Sequence, residues 1–418
     1  MYRIIAAALA AGVCASSLQA QTDPSARPGS VLTLSEALER AGAVSPAREA
    51  AAAGIQAAAA QRRIAGLRPN PSLIAESENI AGSGLYRGLR SSETTVSLAL
   101  PVERGGKRTA RLAVADAETQ RAALDAAVAQ ADLRLRVTQA YNEAAATRPR
   151  AAIAREQVTI ATEGLHAAQV RVKAGRASPL EAQRADVARI AAEGAAERAE
   201  RNAALALQAL GRLTGAPMGG IDLDWFDRIA GPGPLRPIAP AGTLAAAASQ
   251  TDVRAAAAQI RLAQSQRVPD LTLTAGARRL EQTNDMAAVV GISIPLPLSN
   301  SGRASVDLAS ARRRQAEAQR RAILVDAAQA IASAQVEADN AAGNARTLAG
   351  PALAAAREAA RIARIGYREG KFGQLDLLDA ERTLADTRRA AIDALAAFHD
   401  AQARLDRLTT PAPEENNP

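Results

Sequence analysis

Residues 170–184, VRVKAGRASPLEAQR, and residues 365–379, IGYREGKFGQLDLLD, are related copies of one pattern. In each copy a glycine, Gly175 or Gly370, separates two long alanine-rich helical patterns, and the two glycines lie 195 positions apart. Glycine adopts the positive φ that a tight turn between helices requires. The repeat therefore predicts an internally duplicated chain, with one helical hairpin in each copy and a hairpin tip at each glycine.

The composition favours long helices over a thick globular core. Only 2% of the 418 residues are aromatic, and alanine, arginine, glutamate, glutamine and leucine make up much of the chain. Small side chains let long helices pack closely. The formal charge is +8, but basic and acidic residues alternate along the helical patterns, which is typical of solvated helix faces. We therefore expect an elongated protein and no nucleic-acid partner.

The first twenty residues, MYRIIAAALAAGVCASSLQA, have the pattern of a secretory signal. One early arginine precedes an apolar run that is too short to span a bilayer as a permanent anchor, and small residues precede Gln21. We expect cleavage after Ala20. Lipidation of Cys14, the only cysteine, is the alternative, but Val13 argues against it, because a lipoprotein cleavage site has Gly, Ala or Ser before the cysteine.

Two pairs of candidate strands lie between the helical patterns. In the clearest of them Val96, Leu98 and Leu100 alternate with small or polar residues. Strands of about ten residues with this alternation fit a closed transmembrane barrel, and a soluble hairpin packed on helices explains it equally well. Four strands cannot enclose a lumen, so the membrane interpretation requires several chains. The predicted strands are residues 72–80, 92–101, 270–278 and 287–296.

The order of elements divides the chain into two repeats. A signal peptide at 1–20 precedes a first repeat at 21–214, a linker rich in glycine and proline at 215–242, a second repeat at 243–408 and a disordered tail at 409–418.

Within the repeats the pattern predicts several long helices. One helix covers residues 34–67, with Ser35 as its N-cap, and another of about 100 Å covers residues 106–173. In the second repeat we expect an interruption near Gly350 and Pro351.

The order of these parts resembles the TolC-like outer-membrane efflux channel family. The most specific local match is YREGKFGQLDLLDAERTL, residues 367–384. LRPNPSL at 67–73 and LPVERGGKRTARLAVADAE at 100–118 look like the branch that serves cobalt-zinc-cadmium type heavy-metal pumps. The resemblance implies a mainly α fold with β-structure, in which long helices form an α-helical barrel and each chain gives four strands to a trimeric transmembrane β-barrel.

The resemblance also implies a location and partners. It places a homotrimer in the lipid of the cell outer membrane, with a large periplasmic portion that meets a periplasmic adaptor (membrane fusion) protein and an inner-membrane RND transporter. The expected function is a passive conduit for export, here of heavy-metal cations. Two alternatives stay open: export of drugs or proteins through the same fold, and a periplasmic helical scaffold or adaptor without a pore.

Family positions carry over to a periplasmic gate near the second tip. Asp376 and Asp379 match the carboxylates that ring the channel mouth in this family, although an acidic residue at a helix start also caps the first turn. Glu181, Tyr367 and Lys371 match a polar link between neighbouring hairpins that holds the mouth closed.

A second set of positions matches the family's junction between strand and helix. It consists of Gly105, Gly106, Lys107 and Arg108, and it marks a lineage and not a metal site.

No pattern in the sequence indicates an enzyme or a cofactor. His166 and His399 are the only histidines, lie far apart in the sequence and sit on helical patterns, which favours solvated or packed helix residues over metal ligands. We expect no catalytic residue, no cofactor and no dedicated metal site.

Overall fold

The computed structural model describes residues 31–216, 220–229, 239–369 and 371–413. The predicted signal peptide with Cys14, the glycine of the second tip, Gly370, and the last five residues of the tail lie outside the described residues, as does part of the predicted linker. Expectations for those residues therefore stay predictions.

The four strands form one antiparallel sheet in the order β1-β2-β3-β4. The inner pair, β2 with β3, joins the two halves of the chain in one sheet. The prediction of a mainly helical fold with four strands is confirmed. The strands are β1 Ser72–Glu78, β2 Glu93–Val102, β3 Leu271–Leu280 and β4 Asp285–Ser293.

The N-terminal helical region is two helices, α1 Leu34–Val44 and α2 Pro46–Ala65. The expectation of one helix over residues 34–67 is wrong, because Ser45 is extended ahead of proline, a position where the helical conformation is disfavoured. The expected N-cap at Ser35 is also wrong. Thr33 caps α1: its hydroxyl accepts from the Glu36 amide at 3.3 Å, and the Glu36 carboxylate accepts from the Thr33 amide at 3.2 Å.

The other helices are long and lie side by side. The 67 residues of α3 extend about 100 Å. Helix α4 packs on α3, α3 packs on α8, and α8 packs on α7, which gives the lateral order α4, α3, α8, α7. No helix in the described ranges is both long enough and apolar enough to cross a membrane. The bounds are α3 Lys107–Lys173, α4 Pro179–Thr214, α5 Leu244–Gln266, α6 Arg303–Thr347, α7 Leu353–Arg368 and α8 Gln374–Thr409.

A π-helical segment, Leu348–Ala352, separates α6 from α7. Gly350 leaves helical geometry there, with φ −96° and ψ −106°, next to Pro351. Proline has no amide hydrogen to donate and displaces the preceding turn. The expected interruption near Gly350 and Pro351 is confirmed.

The largest core cluster lies near the middle of α3, far from both the sheet and the hairpin tips. Val137 and Tyr141 of α3 are fully buried there, together with Leu210 of α4 and Phe398 of α8. Residues 220–229 cross this cluster and bury Phe226. Part of the predicted linker is therefore a packed element of the core.

Candidate functional site

The two inner strands of the sheet, β2 and β3, expose the apolar side chains of one face and shield the small and polar side chains of the other. On β2, Val96, Leu98 and Leu100 are 46%, 50% and 45% exposed, while Thr95 and Ser97 are buried. A sheet that packs its apolar face onto helices has the opposite pattern. Outward apolar residues that alternate with inward small or polar residues are typical of transmembrane strands.

The strand register extends this apolar face across the whole sheet. One transverse row consists of Leu73, Leu98, Ala275 and Val290, and Val290 is 81% exposed. We call this side, with Val96, Leu100 and Ile292, the apolar face.

The opposite side, which we call the small-residue face, carries Ser97 and Gly276 as direct partners. A Cβ atom on Gly276 would lie 2.6 Å from the Ser97 Cα, so glycine allows a close approach of β2 and β3 on this side. From Leu273 to Leu280, the β3 residues on this face are less exposed than their neighbours on the apolar face. Both observations fit a sheet that curves toward its small-residue face.

The predicted junction between strand and helix turns at two left-handed glycines. Gly105 and Gly106 have φ +71° and +73°, and a Cβ atom on Gly105 would lie 2.7 Å from the Val268 Cβ. Lys107 Nζ pairs with an Asp270 carboxylate oxygen at 2.7 Å, and Arg108 donates to a backbone carbonyl at the end of α2 at 2.6 Å. The junction thus connects the start of α3 to α2 and to the residue before β3.

Two carboxylates at this junction are held in their ionised form. A bidentate ion pair with Arg111 lowers the pKa of Glu103 below its usual range. Burial opposes the ionisation of Asp270, but hydrogen bonds from Lys107 and from the Arg104 amide outweigh it and lower the Asp270 pKa. These contacts explain the basic residues of the motif without a ligand.

The first hairpin tip turns at Gly175 and is held by an ion pair. Gly175 has φ +70°, and the amide of Arg176 donates to the Arg171 carbonyl at 2.9 Å. The Arg171 guanidinium lies 3.2 Å from the Glu181 carboxylate across the hairpin. Glu181, expected in a link between hairpins, therefore already has a partner in its own hairpin.

The second tip is held by an apolar contact that sequence reasoning missed. A Cβ atom on Gly366 would lie 2.5 Å from Phe372 Cε2 and closer still to Cδ2, so the ring covers the glycine directly. The amides of Lys371 and Phe372 both donate to the Gly366 carbonyl, at 2.8 and 3.2 Å. The only sequence signal was a glycine six positions before a phenylalanine.

The predicted gate residues lie at this end of the helices. The Asp376 carboxylate accepts a hydrogen bond from the Gly373 amide at 2.9 Å and so caps α8. The remaining acceptor positions of this carboxylate are available to other partners. Asp379 and Lys371 are exposed, and Tyr367 lies one residue before the end of α7. Glu181 lies on α4 and Tyr367 on α7, the two outermost helices of the lateral order. Because α3 and α8 lie between these helices, the packing within one chain does not place the two residues next to each other.

An aromatic cluster at the core is a further feature that the sequence analysis missed. The Trp225 and His399 rings lie 4.0 Å apart, and His399 Nε2 is 2.8 Å from the Phe226 carbonyl oxygen. The Tyr141 hydroxyl lies 2.9 Å from the carbonyl oxygens of Leu32 and Asp222. The segment IDLDWFDRI, residues 221–229, carries the only tryptophan of a chain poor in aromatics, which was the available signal.

The two histidines are a solvated and a packed helix residue, as expected. His166 is exposed, and burial lowers the pKa of His399. Among the described residues, no three His, Cys, Asp or Glu side chains converge on a position that would hold a metal ion.

Comparison with known proteins identifies the family. The model of the family described as "Outer membrane efflux protein" matches residues 34–216 and 241–410. The chain belongs to this family. Its location is therefore the outer membrane, with a large periplasmic helical portion, and the predicted relation to TolC-like channels is confirmed.

Two curated relatives have names that state metal resistance. The chain is 31% identical to the cobalt-zinc-cadmium resistance protein CzcC of Cupriavidus metallidurans over 355 residues, which is 81% of each protein. It is 30% identical to the nickel-cobalt-cadmium resistance protein NccC of Alcaligenes xylosoxydans xylosoxydans, over 72% of this chain and 67% of that protein. Neither the names nor the family description indicate a catalytic activity.

Solved channels share the fold. The outer membrane protein VceC of Vibrio cholerae superposes with a TM-score of 0.72 at 23% identity, over 91% of this chain and 96% of that one. The open state of the MtrE outer membrane channel of Neisseria gonorrhoeae gives a TM-score of 0.73 at 20% identity, over 90% and 88% of the two chains.

Proposed function

We propose that three copies of this chain form a passive outer-membrane channel for heavy-metal cations, as the outer component of a tripartite RND efflux system. The observation that carries the proposal is the exposed apolar face of the sheet, on a chain whose longest helix extends about 100 Å. Lipid covers that face, and the helices extend the conduit into the periplasm.

The sheet itself argues for several chains. β1 and β4 are its two edges, and edge amides and carbonyls in hydrocarbon each cost several kcal/mol unless they are paired. Pairing β4 of one chain with β1 of the next removes every edge. Three chains then supply twelve strands, enough for a barrel with a lumen.

The names of two relatives support the proposed cargo. The names of CzcC and NccC state resistance to cobalt, zinc, nickel and cadmium, so divalent cations are the proposed cargo. A passive conduit needs no ligand site of its own, and the inner-membrane transporter selects the ion. A periplasmic adaptor joins the two at the hairpin tips.

We assign the periplasmic gate to the hairpin tips. Asp376 and Asp379 of three chains ring the mouth and favour cations. The polar link between Glu181 and the pair Tyr367 and Lys371 forms between neighbouring chains, because α4 and α7 are the outermost helices of each chain's row. Glu181→Gln should raise the single-channel conductance of assembled trimers, because it removes the charge of this link. Glu200→Gln, farther along α4 from the tip, should leave the conductance unchanged. Equal conductance of the wild type and both variants would contradict the link.

Membrane insertion is tested with two adjacent valines of β4. Val290 lies on the apolar face and Val289 on the small-residue face. Arginine on a lipid-facing strand position costs about 2–4 kcal/mol near the bilayer midplane, while lumen positions tolerate it. Val290→Arg should reduce the heat-modifiable trimer in the outer-membrane fraction, and Val289→Arg should not. Recovery of the wild-type chain in the periplasmic extract would instead favour the scaffold alternative.

The cargo is tested by complementation. In a host that retains the transporter and adaptor but lacks this chain, re-expression should restore tolerance to Zn²⁺, Co²⁺, Cd²⁺ or Ni²⁺. Restored tolerance to drugs with no change for metals would favour the drug-export alternative.

A further inference from the structure

Arg278 connects three strands on the small-residue face of the sheet. From β3, its guanidinium lies 2.8 Å from the Glu93 carboxylate on β2 and 3.1 Å from the Glu78 carboxylate on β1. Its Nε–H also donates to the Thr95 hydroxyl at 2.9 Å. One cation therefore fixes the side chains of two carboxylates that belong to different strands.

These residues lie at the loop end of the sheet, away from the long helices. Arg278 and Glu76 are both register partners of Thr95, and in the next row Glu78 pairs with Glu93 and Leu280 pairs with Asp285. Direct partners point to the same face of a sheet. Within the described strands, this end of the small-residue face thus holds four carboxylates, Glu76, Glu78, Glu93 and Asp285, against the single guanidinium of Arg278.

Farther from the loops, the same face has no charged side chain on the two inner strands. Ser97 and Ala99 of β2 and Thr274 and Gly276 of β3 form its rows toward the helices. If the apolar face contacts lipid, as the proposed function requires, the small-residue face lines the lumen. Arg278 is then the one basic side chain at the outer end of that lining, within the described strands.

We propose that Arg278 sets the ion preference of the channel's outer end by holding Glu78 and Glu93 against the wall. An exit must be negative enough to admit divalent cations, yet it must bind them weakly enough to let them leave. Without this ion pair the carboxylates of the register partners Glu78 and Glu93 would ligate divalent cations together and retain them at the exit. The guanidinium occupies those oxygens and lowers the net negative charge of the face.

The test compares two adjacent arginines. Arg279 lies on the other face, where it pairs with Glu281 at 2.9 Å and with Asn284 at 3.0 Å. Full-length trimers of the wild type, Arg278→Gln and Arg279→Gln are placed in planar bilayers. The measurements are the cation-to-anion permeability ratio in a KCl gradient and the Zn²⁺ concentration that reduces the conductance.

Arg278→Gln should raise the permeability ratio on the order of two-fold, the combined effect of three unit charges about one Debye length from the ion path. Zn²⁺ should block this variant at a lower concentration than the wild type. Arg279→Gln should match the wild type in both measurements. A normal ratio and normal Zn²⁺ block in Arg278→Gln, or equal shifts in the two variants, would overturn the proposal.

A second variant covers failure of assembly. If Arg278→Gln forms no trimer, the same measurements are made on Glu93→Gln. Loss of this lumen carboxylate should lower the cation-to-anion permeability ratio. An unchanged ratio in Glu93→Gln would also overturn the proposal. The inference rests on the proposed channel function, and the two fail differently. A wild-type trimer without conductance refutes the channel, whereas a conducting wild type with unaffected variants refutes only the role of Arg278.

Discussion

Gly366→Ala is expected to disturb the second hairpin tip only while Phe372 is present. The added Cβ would overlap the ring, so the ring must leave the glycine. Phe372 is 43% exposed, which leaves a little more than half of it buried. Full burial of phenylalanine contributes about 1.5–3 kcal/mol, so expulsion of the ring costs roughly 1–2 kcal/mol.

Alanine also stabilises a helix relative to glycine by about 0.5–1 kcal/mol, which opposes this loss. The informative quantity is therefore the effect of Gly366→Ala with and without the ring. In the Phe372→Ala background the same change should stabilise the tip. The difference between the two backgrounds should be about 1–2 kcal/mol, or roughly 5- to 30-fold in an opening equilibrium.

Hydrogen exchange of full-length trimers measures this difference, because the amides of Lys371 and Phe372 both donate to the Gly366 carbonyl. Their exchange rates report opening of the tip. Gly343→Ala is the control, since its added Cβ would meet no atom within 4 Å beyond the adjacent residues and backbone of its own helix, and its effect should not depend on Phe372. If the effects of Gly366→Ala and Phe372→Ala simply add, the packing argument is refuted.

Two other predictions concern the core and the junction. Burial lowers the pKa of His399 below its usual 6.5, so as the pH falls the unfolded chain binds a proton before the folded chain does. The stability of the fold should therefore decrease as the pH drops below about 6.5. Thermal unfolding of His399→Gln should show a weaker dependence on pH. At the junction, Gly106→Ala should destabilise the fold by about 1–2 kcal/mol, because alanine must adopt a left-handed φ there. Gly105→Ala should cost about 1–3 kcal/mol more, because its added Cβ also overlaps Val268. The melting temperatures of the two trimers would reveal this difference.

Strong local periodicity made the helices and strands predictable. The alternation at Val96, Leu98 and Leu100 and the uninterrupted pattern of α3 both specify an element over many residues. The wrong predictions concerned helix boundaries, because a single residue determines where a helix begins or ends. Pro46 breaks the first helical pattern, and the capping box of Thr33 and Glu36 competed with Ser35 as the helix start.

Contacts between distant parts of the chain could not be predicted in the same way. The Phe226 carbonyl and His399 are separated by 173 positions, and the one signal in the linker, the tryptophan of residues 221–229, does not say which distant helix that segment packs against. Similarly, alignment of the two tips drew attention to Gly175 and Gly370, while the glycine that contacts a ring, Gly366, aligns with an arginine in the first copy.

The two hairpin tips are held by different kinds of contact, which affects how each tip opens. In the first tip, Arg171 and Glu181 form a part-exposed ion pair, a contact worth about 0–1 kcal/mol that salt screens. In the second tip, the aligned positions hold Gly366 and Asp376: the glycine lies under the Phe372 ring, and the aspartate caps its own helix. Salt hardly affects the contact between ring and glycine. A charged partner that competes for Glu181 would therefore loosen the first tip while the second keeps its shape, and opening at the two tips need not occur together.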